Sequence, residues 1–188
     1  GFLARLEKQG ELVRIAGEVD PLENMSAIEW KTYDERGKSS LFTNIKGHPG
    51  WEACSQILTD RSKWALGLSL TEDELLEAMS RKIRAPIDPV VVDGDGAPVR
   101  EVVLTGTDAS LDDIPAMHTS ANDGGRYIAS GMAIVKDPDT GIRNISIHRQ
   151  QILGPDRTGF IMLPRQTRRI YDKYCARGEA MPVAIAIG

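Results

Sequence analysis

A chain of 188 residues with 41% hydrophobic and 27% charged residues is sized and composed for one sizeable globular domain or two small ones. No apolar run approaches the roughly 20 residues of a bilayer-crossing helix, and the N-terminus, Gly1-Phe2-Leu3-Ala4-Arg5-Leu6-Glu7-Lys8, is charged where a secretory peptide is apolar. The net charge of −4 conceals a basic segment: residues 143–177 hold seven Arg and one Lys against Asp156 and Asp172, a local +6 that leaves −10 elsewhere.

The first predicted helix follows Asp20-Pro21-Leu22-Glu23, with Asp20 as N-cap, Pro21 at the first helical position and Glu23 as capping partner. It places Leu22, Met25, Ile28 and Tyr33 at helical spacing and ends near Gly37. Residues 41–45 read as a strand, a helix follows Thr59, and another starts at Thr71 with Glu74 as capping partner, burying Leu75, Met79 and Ile83. Residues 90–92 and 99–104 read as strands around an Asp-Gly-Asp-Gly turn. A proline-containing connector, residues 112–117, precedes a strand-rich region. There, residues 128–135 and 142–149 flank the turn-forming Asp137-Pro138-Asp139-Thr140-Gly141, and 159–163 is a third strand. A helix over 166–177 is closed by Gly178, and 182–187 is an apolar strand expected to be buried on both faces. A chain that ends in such a strand and lacks an initiator Met is expected to be a fragment.

Chemistry concentrates in Asn144-Ile145-Ser146-Ile147-His148-Arg149. Alternation puts Asn144, Ser146 and His148 on one strand face, where Asn and Ser oxygens suit a hard metal ion or a phosphate. Arg149 shares that site only if the strand ends or bulges after Ser146. By pattern alone a solvated outer face explains these residues as well. The surrounding basic segment lacks interleaved aromatics and a recognition helix, so a small phosphorylated ligand fits it better than nucleic acid. Part of it also reads as a solvated helix face around Arg165, Arg168 and Arg169. Cys54 and Cys175 match no metal or redox spacing, which makes a reducing, cytoplasmic setting the default. The three histidines have no metal-ligand spacing, with His48 and His118 reading as loop residues, and Asp112 and Asp113 read as turn formers beside Pro115.

In order and spacing, several motifs of this chain are similar to those of one family. They are Gly10-Glu11-Leu12, Glu18-Val19-Asp20-Pro21, Leu41-Phe42-Thr43-Asn44-Ile45-Lys46-Gly47, Asp123-Gly124-Gly125-Arg126-Tyr127-Ile128, Asp137-Pro138-Asp139-Thr140-Gly141, Arg143-Asn144-Ile145-Ser146-Ile147-His148-Arg149, Leu163-Pro164-Arg165 and Pro182-Val183-Ala184-Ile185-Ala186-Ile187-Gly188. Together they resemble the UbiD family of prenylated-FMN-dependent decarboxylases over essentially the whole chain.

The resemblance implies an α+β fold: an N-terminal mixed α/β domain over residues 1–110, then over 111–188 the first part of a split β-barrel flavin-binding domain, truncated at its C-terminus. It implies prenylated FMN, supplied by a flavin prenyltransferase, lined by Asn144, Ile145, Ser146, Ile147, His148, Arg149, Arg165 and Gln166. It also implies Mn²⁺, with K⁺ as a further ion, bound by Asn144 and bridging to the flavin phosphate. Many members carry a metal-binding His where this chain has Gln166, with Thr167 as the rival counterpart; Gln166 then binds metal, contacts the phosphate, or does neither. Arg149 matches the arginine of the family's Glu-Arg-Glu catalytic set, whose acids are expected beyond residue 188. The implied function is removal of CO₂ from an aromatic or α,β-unsaturated carboxylic acid by a homo-oligomer, the 188 residues alone being inactive. The alternatives are a non-catalytic flavin-phosphate-binding or assembly module and, more distantly, an FMN reductase on a split barrel.

Overall fold

The computed structural model describes residues 1–188, which divide into two compact units, one of residues 1–20 and 24–109 and one of residues 21–23 and 110–188. Both mix helices with open three-stranded sheets, and no sheet closes into a barrel.

In the first unit, α1 (Phe2–Lys8) leads into β1 (Leu12–Ile15), α2 (Met25–Arg36) and β2 (Ser39–Phe42). β1 and β2 pair in parallel from Leu12↔Ser39 to Ile15↔Phe42, so α2 is the crossover that two parallel neighbours require. β3 (Ala53–Ser55) joins the other edge of β2 antiparallel. The central β2 is buried at all four positions, and Leu6, Leu12 and Leu41 form a core with Phe2, Leu3, Ile57 and Leu66 against it.

α3 (Arg61–Leu68) and α4 (Glu72–Arg84) complete the unit. α3 starts after Asp60, whose carboxylate accepts from the Lys63 amide at 3.2 Å. The Lys63 side chain is fully buried; its Nζ lies 3.3 Å from Asp60 Oδ2 and 3.0 Å from Thr59 Oγ1 and donates to the Gly37 and Gln56 carbonyls. A buried ammonium is tolerated only when its donors are used in this way. α4 begins where expected, with the Thr71 amide and hydroxyl both donating to Glu74 Oε2.

Four local expectations change. The α2 helix starts at Met25 rather than beside Pro21, because Asn24 Oδ1 accepts from the Asp20 amide and residues 21–24 fold into a turn. The strand read over 41–45 is β2 at 39–42, a register set by its pairing with β1 on one edge and β3 on the other. α4 buries Ala78 and only half-buries Leu75 and Met79, leaving Ile83 at 73% exposure. Residues 90–92 and 99–104 are exposed and form no strands, since β-branched residues need a partner strand and none lies beside them.

The second unit contains β4 (Tyr127–Ile128), β5 (Met132–Lys136), β6 (Arg143–Ile147), β7 (Gln150–Gly154), β8 (Arg157–Gly159), α5 (Gln166–Arg177) and β9 (Val183–Ala186). Its sheets run β4-β7-β8 and β6-β5-β9, all pairs antiparallel. The expected hairpin forms between β5 and β6, from Met132↔Ile147 to Lys136↔Arg143. Its first strand is interrupted, however, as β4 leaves for the other sheet at residues 129–131. The strand expected over 159–163 is instead β8, shifted toward the N-terminus by pairing with β7. β9 is not doubly buried: it pairs only with β5, and Val183 and Ile185 stay 39% and 38% exposed.

α5 ends as expected at Gly178, which takes the left-handed φ of 66° that glycine adopts without cost. The helix packs against β5 and β6 through Thr167 and Ile170. Ion pairs fasten its far end to the hairpin turn: Lys173 Nζ lies 2.6 Å from Asp137 and 2.9 Å from Asp139, and Arg177 also pairs with Asp139.

Candidate active site

β6 is an edge strand, and its alternation sorts the side chains as expected. Asn144, Ser146 and His148 are half-buried, while Arg143, Ile145 and Ile147 are exposed. α5 approaches the first of these sets. Asn144 Nδ2 donates to Thr167 Oγ1 at 3.1 Å and Ser146 Oγ at 3.3 Å, and the two hydroxyls are 2.9 Å apart. His148 Nε2 lies 3.0 Å from Ser146 Oγ and 3.4 Å from Thr167 Oγ1, and its Nδ1 lies 3.2 Å from the Ile161 carbonyl. The ring also packs against Phe160, centroids 5.1 Å apart. His148 is thus tied into the site rather than being a solvated neighbour of Arg149.

The strand ends at Ile147 and β7 begins at Gln150, so His148 and Arg149 form the break that lets Arg149 share the site with Asn144. Buried Gln150 holds the break by donating from Nε2 to the His148 carbonyl at 2.8 Å. All eight residues named from the sequence, Asn144, Ile145, Ser146, Ile147, His148, Arg149, Arg165 and Gln166, border one open cavity of about 1220 Å³. Its apolar wall includes Phe160, Ile161 and Leu163.

The electrostatics of the cavity favour an anion. Elsewhere in the basic segment Arg168 pairs with Asp172 and Arg177 with Asp139. Arg149 and Arg165 are exposed, and neither guanidinium forms an ion pair. The sole carboxylate in the lining, Asp123, accepts from the Ser120 amide at 3.0 Å. The N-terminus of α5 opens beside Arg165, adding unpaired amides and a positive helix end.

Sequence reasoning centred on Gln166, but Thr167 is the residue on Asn144; Gln166 borders the cavity with an exposed side chain. The signal for Thr167 is helical periodicity, since counting back three from buried Ile170 reaches Thr167. Sequence reading leaves out Phe160, Ile161, Asp123 and Tyr127, which connections and a two-residue strand bring to the cavity.

The donor chemistry fits a flavin phosphate through Arg165 and the start of α5, with Arg149 left for a second anion. It fits a divalent ion only in part. Asn144 Oδ1 takes no hydrogen bond and is a hard oxygen donor, but the chain has no group of three His, Cys, Asp or Glu that could hold a metal.

Comparison with known proteins agrees with this geometry. Residues 3–83 match the 3-octaprenyl-4-hydroxybenzoate carboxy-lyase N-terminal domain and residues 90–188 the carboxy-lyase Rift-related domain of the UbiD family. The whole chain is 33% identical to 40% of an uncharacterized protein of the cooM 5′ region of Rhodospirillum rubrum. Over 71% of its length it is 34% identical to 30% of the anhydromevalonate phosphate decarboxylase of Methanothermobacter thermautotrophicus. In structure, all of it superposes on 43% of an evolved dimeric form of the UbiD-class enzyme HmfF from Pelotomaculum thermopropionicum, in complex with prFMN, with TM-score 0.92 and 34% identity. The chain therefore spans less than half the length of these relatives.

Proposed function

The chain belongs to the UbiD family of carboxy-lyases, and from that membership we propose that it contributes part of a decarboxylase site for an aromatic or α,β-unsaturated carboxylic acid. In this reading the cavity of the second unit takes prenylated FMN, and the open sheets around it are the opening strands of a split barrel. The observation that supports it most is that Asn144, Ser146, His148, Arg149 and Arg165 border one cavity whose two arginines have no acidic partner.

Bound there, prenylated FMN supplies the sink for the electron pair left by departing CO₂, which no side chain in the cavity offers. Arg149 binds the substrate carboxylate: a guanidinium stays charged beside apolar walls and grips a carboxylate at two points. Its post at the break after β6 keeps it on a short, held segment, which orients the acid for bond cleavage. Arg165 and the α5 amides would hold the phosphate, Asn144 Oδ1 would offer one ligand to Mn²⁺ and Gln166 a second donor, with K⁺ as an accompanying ion. The remaining ligands and the acid that protonates the product are assigned to polypeptide additional to these 188 residues, in cis or from a partner chain. Alone, the 188 residues are then inactive. Asp123 being the one carboxylate of the cavity favours, for this part in isolation, the second reading of a non-catalytic flavin-phosphate-binding or assembly module.

The reading sets the protein in the cytoplasm, where a flavin prenyltransferase delivers the cofactor; no helix is long and apolar enough to cross a membrane. The test is full-length protein co-produced with a flavin prenyltransferase, its released cofactor weighed by mass spectrometry and CO₂ release followed over a panel of aromatic and α,β-unsaturated acids. Prenylated FMN with turnover of at least one acid is expected. Unmodified FMN with no turnover in any preparation contradicts the proposal and favours an FMN reductase.

A further inference from the structure

The contacts among Asn144, Ser146, His148 and Thr167 contain a complete inventory of hydrogens, and with a neutral ring each arrangement orients Asn144 the same way. The Ile161 carbonyl can only accept, so His148 Nδ1, 3.2 Å away, carries a hydrogen. In the neutral ring Nε2 must then accept, and the atoms within reach of it are the hydroxyl oxygens Ser146 Oγ at 3.0 Å and Thr167 Oγ1 at 3.4 Å. One hydroxyl hydrogen is spent on Nε2. The 2.9 Å contact between the hydroxyls consumes the other. Whichever hydroxyl faces the ring, no hydroxyl hydrogen remains for Asn144, and both oxygens turn lone pairs toward it. Only an amide nitrogen can meet them, one N–H lying between the two oxygens at 3.1 and 3.3 Å.

We infer that His148 is a positioning residue that determines which atom of Asn144 faces the cavity: through Ser146 and Thr167 it locks the amide nitrogen inward and turns Oδ1 outward. Asn144 Oδ1 therefore presents an electron pair, and its partner is a cation or a hydrogen-bond donor. The anchor of the chain is a backbone carbonyl in the segment between β8 and α5, so that segment also takes part in setting the amide. Thr167 is a relay in this chain, and Gln166, one residue earlier with an exposed side chain, is not.

The readout in terms of metal rests on the reading of Asn144 as a ligand, so the experiment has two arms. In the first, long-range proton–nitrogen spectra of histidine-labelled, cofactor-free full-length protein at about pH 8, where an ordinary imidazole is neutral, report the His148 tautomer, assigned by comparison with His148→Phe. An Nδ1–H tautomer is expected, and an Nε2–H tautomer overturns the inference whatever the metal does. In the second, Mn²⁺ alone is titrated into the same protein and followed by electron paramagnetic resonance. His148→Phe removes the acceptor, frees a hydroxyl hydrogen for Asn144 and is expected to weaken Mn²⁺ about tenfold or more, the scale typical of an outer-shell partner. His148→Gln keeps an acceptor at the ε position and a donor for the carbonyl, so it restores most of the affinity. Unchanged Mn²⁺ binding in His148→Phe overturns the positioning role. If the unmodified protein binds no Mn²⁺, the metal reading fails, and the tautomer spectrum decides the hydrogen-bond chain by itself.

Discussion

Glu29 lies buried on the face of α2 that packs against β2. Its Oε1 accepts from Gln56 Nε2 at 3.0 Å, and Ser40 Oγ nearby is buried without a partner. Burial holds the carboxyl above its usual range, outweighing the hydrogen bonds from Gln56 and Ser55. A group that holds its proton more tightly when folded favours the fold most below its unfolded pKa, and that contribution is lost as pH rises through the raised value. Above that raised value the ionised carboxylate is a liability. Glu29→Gln keeps the acceptor for Gln56 and adds a donor near an orphan oxygen, and should stabilise the protein by about 1 kcal/mol at neutral pH. Urea denaturation at neutral and acid pH checks this; the gain should shrink as pH falls. Gly131 makes the opposite case. A Cβ there would lie 2.6 Å from Gln150 Oε1, 2.9 Å from Ile128 and 3.1 Å from Ile185, all packed where β4 gives way to β5. Gly131→Ala should cost about 1–3 kcal/mol by the same measurement.

Among the elements, α5 and the β5–β6 hairpin act as one piece, because the far end of the helix is clamped to the turn while its first turn carries Thr167. The bond from Lys173 is the main cause that holds Asp137 and Asp139 below the usual carboxylate range, and those carboxylates in turn raise Lys173. Depressed acids contribute stability above their unfolded pKa values and lose it as pH falls through the folded ones. Lys173→Ala should therefore move the acid-unfolding midpoint to higher pH, with little change in exposure of the α1–β1 core; circular dichroism during acid titration reads the midpoint. The elements readable from sequence were those with local causes: the Thr71–Glu74 start of α4, the Gly178 end of α5, the alternation of β6. Those that failed depend on neighbours. Valines at 90–92 promise a strand but find no ladder, and β7 hid because polar Gln150 and Gln151 open it, one filling the core and the other reaching Gly124. The site followed the same rule: Asn144 to Arg149 stood out as a contiguous motif, whereas Phe160 and Ile161 enter only through the fold.

For the whole molecule, the chain spans less than half the length of the relatives it matches. The HmfF form it superposes on is an evolved dimeric one. Light scattering of the full-length protein should give a dimer or a higher multiple, and a stable monomer that turns over would remove assembly from the account. The central claim is that one cavity divides its labour, with Arg149 engaging the substrate carboxylate while Asn144, Arg165 and the start of α5 hold the cofactor. Its most direct test is Arg149→Ala in full-length protein carrying prenylated FMN, with bound flavin and CO₂ release measured on the same sample. The account predicts that flavin stays bound and CO₂ release from the best acid falls by at least about a hundredfold, the loss of an interaction worth roughly 3 kcal/mol in the transition state. Full activity with flavin retained, or flavin lost together with activity, would contradict it.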